Sequence, residues 1–131
     1  MSAARSVTLG TLLAVLLVVP AARQARADQL DVQIRQVRTG DTYKLRLAAA
    51  LALSRSRDPR ALAALADTVE RGSDASVRRL AALALGKQID PTTPAATQAR
   101  ARAALAKAAR SDRDRKVRTS AAQALAAVES V

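Results

Sequence analysis

Apolar side chains recur along this chain at spacings of three, four and seven residues, which place them on one face of a helix. Leu30, Ile34 and Val37 form one such set, Leu62, Leu65, Ala66 and Val69 a second, and Ala101, Leu105 and Ala109 a third. Each set is followed by a denser helical segment. Three of these segments align without gaps: Leu45 to Ser54 (LRLAAALALS), Val77 to Gly86 (VRRLAALALG) and Val117 to Ala126 (VRTSAAQALA). The Arg, the leading branched or Leu residue, the paired small residues and the late Leu all hold their places, so chance self-matching of Ala-rich sequence is a poor explanation. The pattern predicts six helices in three hairpins. Thr39-Gly40-Asp41, Gly72-Ser73-Asp74 and Ser111 to Asp114 break the helices within each pair. Asp58-Pro59 and Thr93-Pro94 read as a capping residue followed by a first-turn Pro, and Gly86 as a left-handed terminator. The second period is eight residues longer than the first, and the spacing of Pro59 and Pro94 assigns three of these to a loop and five to the start of the fifth helix.

The run Val-Arg-x-x-Ala-Ala-x-Ala-Leu-Gly, complete at residues 77–86, resembles the second helix of HEAT repeats, particularly the short HEAT-like repeats of many bacterial proteins. The resemblance covers about residues 28–128, with repeats at about 28–54, 58–87 and 94–128. It implies an all-α solenoid of the armadillo-like type, with turn Asp residues bonding turn amides and the Arg of neighbouring repeats. Asp112, Asp114 and Arg118 carry the full turn pattern; Asp74 and Arg78 keep part of it, with Gly72 at the first Asp position. Asp41 is displaced by one residue before Arg46. A hairpin cannot bury its own apolar face, so stability comes from stacking, and the ends of the stack need polar surfaces. Thr119, Ser120 and Gln123 stand where the second repeat has Arg79, Leu80 and Leu83, which reads as a C-terminal cap. With few large apolar residues after Ala95, the third repeat is expected to be the weakest unit.

Ahead of the repeats the pattern changes. Arg5, then the uncharged run Val7 to Val19, then Ala25-Arg26-Ala27 have the order of a secretory signal peptide with its cut between Ala27 and Asp28. Pro20 and Arg23 close the apolar run short of the roughly 20 residues a membrane span needs. The expectation is a leader at 1–27, a repeat domain at 28–131 without a transmembrane segment, and a periplasmic or extracellular destination.

Composition narrows the chemistry. The chain has 131 residues, a formal net charge of +11, and no Cys or His, which removes thiol and imidazole catalysis, zinc fingers and disulfides. Asp112 with Asp114, and Asp67 with Glu70, are carboxylate pairs, read as a repeat turn and a solvated helix turn. No catalytic residue, cofactor or metal is expected. Residues 95–131 hold eight bases against three acids; Arg100, Lys107 and Arg110 share a helix face, and Arg113, Arg115 and Lys116 follow in the turn. They form a candidate patch for an anion or a partner. Tyr43 is the one aromatic residue, so base-stacking platforms are missing and nucleic acid is disfavoured. The expected role is a protein-interaction module or scaffold with a protein partner. The alternative is an electrostatic binder of an anionic polymer or membrane surface through the third repeat.

Overall fold

The computed structural model describes the backbone of residues 2–131 and the side chains of residues 21–131. The side chains of the apolar run that would form the leader lie outside those described. Six helices and no strand occur among the described residues: α1 (Ser2–Thr39), α2 (Tyr43–Leu53), α3 (Pro59–Arg71), α4 (Ala75–Gln88), α5 (Ala95–Ser111) and α6 (Arg115–Glu129). The backbone divides into two compact units, Met1–Val32 and Gln33–Val131. In the first, helix α1 runs through the expected cut, and Gln24 donates to Asp28 at 3.0 Å one turn on. The second unit is two layers of helix, with α3 beside α5 and α2, α4 and α6 side by side.

Turns fall where the breakers predict them. Thr42, not Asp41, starts α2: its hydroxyl accepts from the Leu45 amide at 3.2 Å, leaving Asp41 exposed and without a side-chain bond among the described residues. Asp58 caps α3 by accepting from the Arg60 amide at 2.8 Å, with Pro59 in the first turn. Asp114 caps α6 through Val117 N at 3.0 Å.

Thr93 does not cap α5. Its hydroxyl instead accepts from the Asp90 amide at 3.0 Å and closes the turn before Pro94. The eight extra residues also distribute differently. Three prolong α4 past the end of its α2 counterpart, one lengthens the loop, and four lengthen α5.

Gly86 is the largest departure. It lies inside α4 without a positive φ, so it does not terminate the helix. A Cβ there would stand 3.0 Å from the Ala124 Cα and 3.1 Å from its Cβ, so the missing side chain is what lets α4 and α6 approach. In an isolated helix Gly→Ala gains about 1 kcal/mol of propensity. Here the sign should reverse. Gly86→Ala is expected to lower stability by about 1 kcal/mol through overpacking, read as a lower urea midpoint with an unchanged slope.

The core is built from Leu62, Leu65, Val69, Val77 and Leu85 in the second pair and Leu105, Val117 and Val128 in the third, all fully buried. Of the large side chains in the first pair, Val37 and Leu53 are buried, while Leu45 and Leu51 stay more than 40% exposed. Burial thus makes the first pair the least anchored, because Ala101, Ala104, Ala121 and Ala124 pack the third pair closely enough to seal its few large residues.

Candidate functional site

Successive helices α2, α4 and α6 present the same register positions outward. Tyr43, Leu47 and Leu51 on α2 correspond to Ala75, Arg79 and Leu83 on α4 and to Arg115, Thr119 and Gln123 on α6. All of these positions are exposed or half-buried. Side-chain bonds stitch the face together: the Tyr43 and Ser76 hydroxyls lie 3.0 Å apart, and Arg79 Nε donates to Ser120 Oγ at 2.9 Å. The face therefore grades from apolar at α2 to cationic at α6.

At the cationic end a groove of about 370 Å³ is lined by Arg79, Arg115, Lys116, Thr119, Ser120 and Gln123, with no carboxylate among them. Ser120 is buried rather than part of a polar outer cap, since it replaces Leu80 with a hydroxyl that anchors Arg79. Thr119 and Gln123 are exposed, but their equivalents on α2 and α4 are exposed or half-buried too, so their exposure belongs to the shared outward face. Three cations held around two hydroxyls suit a carboxylate, phosphate or sulfate oxygen.

The rest of the expected basic patch is divided. Arg100 donates to Glu70 at 3.0 Å across the repeat boundary, so it and Glu70 form an inter-repeat pair, not a free cation and a solvated acid. Asp67 likewise sits between Arg38 and Arg71, at 3.6 Å from each. Lys107, Arg110 and Arg113 are exposed and form no ion pair among the described residues, with Lys107 and Arg110 on α5 and Arg113 in the turn after it. Arg79 does not stand out in a search for charge clusters, because its one basic neighbour in sequence, Arg78, is buried in the Asp112 pair, and the cations that share the groove with Arg79 come from α6.

The turn residues make an ordered series on another edge. Arg46 donates from Nε and Nη2 to the two oxygens of Asp74 at 2.7 and 3.1 Å, and Arg78 does the same to Asp112 at 2.9 and 3.1 Å. The acceptors are not register equivalents. Asp74 matches the capping Asp114, but with Gly72 at the position of Asp112 it turns to Arg46 and leaves α4 without a side-chain cap. Arg46 thereby holds the Asp74 carboxyl below its ordinary range, and Arg46 itself is raised by the same bond. For Asp112 burial pushes upward, yet the Arg78 fork and the Asp114 amide outweigh it and the carboxyl titrates low. Asp90 is lowered by the Thr92 hydroxyl and amide.

No group of residues that could hold a metal ion occurs among the described residues, and no described helix is long and apolar enough to cross a membrane. A family model for HEAT repeats matches residues 30–126. The chain belongs to the HEAT repeat family. Its described helices form a helical repeat module of the kind that mediates protein interactions. No curated protein and no solved structure is significantly similar to it.

Proposed function

We propose that this HEAT-repeat chain is exported to the periplasm or the cell exterior by a cleaved leader and works there as a non-catalytic scaffold that holds a partner protein along α2, α4 and α6. The observation that carries this reading is the graded face. Tyr43 and Leu51 are each more than 40% exposed at one end, and Arg79, Arg115 and Lys116 surround an acid-free groove at the other. An extended or helical segment with an apolar end and an acidic end complements both. Exposed apolar side chains supply burial energy of about 25 cal/mol per Å², and the cations supply orientation and association rate.

Proximity labelling from the full chain in its native envelope identifies the partner. Recovery is expected to fall about tenfold with Leu51→Glu and with Arg79→Glu, each a loss of about 1.4 kcal/mol, and to stay unchanged with Ala103→Glu on α5. Equal recovery in all three would remove this face from the account.

The second reading, an anionic polymer or membrane surface bound through the third repeat, draws on the groove and on Lys107, Arg110 and Arg113. Salt separates the two. Raising ionic strength from about 0.1 to about 1 M shortens the screening length from about 10 to about 3 Å, which releases an electrostatic ligand and spares an apolar contact.

A further inference from the structure

Arg46, Arg78 and Arg118 occupy the same position near the start of α2, α4 and α6, and each is held in the same way. Nη1 donates to a turn carbonyl: Gly40 O at 2.8 Å, Gly72 O at 2.9 Å and Asp112 O at 2.7 Å. For the first two, the other edge of the guanidinium, Nε and Nη2, is filled by both oxygens of an Asp from the following pair. For Arg118 that edge has no acceptor among the described residues. No buried side-chain nitrogen in the described residues lacks a partner, so the open edge of Arg118 reaches solvent.

We propose that Arg118 is an unfilled rung of this Arg–Asp series, and that the end face around it docks an acidic polypeptide by taking one of its Asp or Glu carboxylates in the bidentate geometry of the two filled rungs. The turn carbonyl has already oriented the planar fork, so the entropy of aligning it is lost on folding and not on binding. The surface around it is the one interior pairs cover. Ala66, Val69 and Ala82 are buried, whereas of their equivalents Ala122 is exposed and Ala106 and Ala109 are half-buried. These side chains are too small to anchor a partner by apolar burial alone, which leaves the fork as the specific contact.

Charge decides the occupant. Arg102 and Arg110 accompany Arg118 at the positions of Leu62 and Glu70, so the end face is cationic. A second copy stacked head to tail would bring residues 33–57, where Arg35, Lys44 and Arg55 are exposed, and Arg38 and Arg57 are exposed but paired with Asp67 and Asp90, against the single acid Asp41 of that stretch. Like charges oppose that assembly. An acidic segment of another protein is attracted, and the carboxylates at Arg46 and Arg78 define the acceptor.

The test follows the Nε–Hε resonances of the full chain by NMR during titration with a capped peptide of alternating Asp and Ala, and with its Asn counterpart. The Arg118 resonance is expected to shift and saturate with the Asp peptide alone, while those of Arg46 and Arg78, already filled, stay in place. Arg118→Lys, with helicity confirmed by far-ultraviolet circular dichroism, keeps the charge without the fork and should weaken the peptide about tenfold. Lys107→Gln removes a full charge and should weaken it no more than about twofold. Equal losses in the two variants, or an unmoved Arg118 resonance, would overturn the proposal. So would inorganic phosphate or phosphatidylglycerol vesicles that shift Arg118 at least as strongly as the Asp peptide, since the site would then read phosphate in place of carboxylate.

Discussion

Asp112→Ala is expected to lower the unfolding free energy by about 3–5 kcal/mol, the cost of stranding a buried charge. The Arg78 and Asp112 side chains are 4% and 7% exposed, so neither can turn to water when the other is removed. Asp112 also accepts the Asp114 amide at 2.9 Å, and its loss frees the turn that starts α6. Urea unfolding followed by helicity gives the value directly. Arg78→Met combined with Asp112→Ala should recover part of the loss, because no charge is then left buried. Arg46 and Asp74, at 20% and 21% exposure, make the same fork in wetter surroundings, and Asp74→Ala should cost only about 1 kcal/mol. Equal losses at Asp74 and Asp112 would show that burial does not set the value of these pairs.

Acid examines the same bonds without mutation. Asp74, Asp90 and Asp112 all titrate below their ordinary value in the folded chain. A carboxyl lowered on folding contributes stability above its unfolded pKa of about 3.9 and loses it as pH falls through the folded pKa. Stability should therefore hold from neutral pH to about 4 and decline below it. In the Asp112→Ala protein that decline should be shallower.

The fold was legible because its signal is local and repeated. Leu45, Val77 and Val117 head segments whose Arg, small pair and late Leu agree, and helix periodicity needs no knowledge of what lies across the interface. What failed to show in the letters depends on neighbours distant in sequence. Gly86 has the composition of a helix end, yet its conformation is set by Ala124, nearly forty residues on. Ser120 looks like a surface residue until Arg79 bonds it. Asp74 has the position of a cap and the role of an acceptor, because Gly72 leaves Arg46 nothing nearer in that turn. The cationic patch was readable as charge but not as geometry: glutamate at position 70 takes Arg100 out of it, and Arg79 joins from another helix.

Leu105→Ala should be among the most damaging apolar substitutions, at about 2–5 kcal/mol. Leu105 is the one Leu of the third pair that is fully buried; Leu125, its other Leu, is only half-buried. Its buried companions on α5 and α6 are mainly Ala101, Ala104, Ala108, Ala121 and Ala124, with Val117 and Val128 as the larger ones. Alanines have no rotamers with which to fill a hole, and collapse would require α5 and α6 to shift as whole helices. The cavity should persist, which places the cost toward the upper part of that range. Because a stacked repeat is supported by its neighbours alone, the damage should also be local. Amide exchange across residues 95–129 should accelerate through opening of the third pair, while α3 and the centre of α4 retain most of their protection. Leu125→Ala provides the comparison, and at half burial it should cost about 1 kcal/mol. If both substitutions weaken the protein equally, and exchange rises uniformly from residue 59 to residue 129, then the pairs unfold as one block and the third has no separate stability to lose.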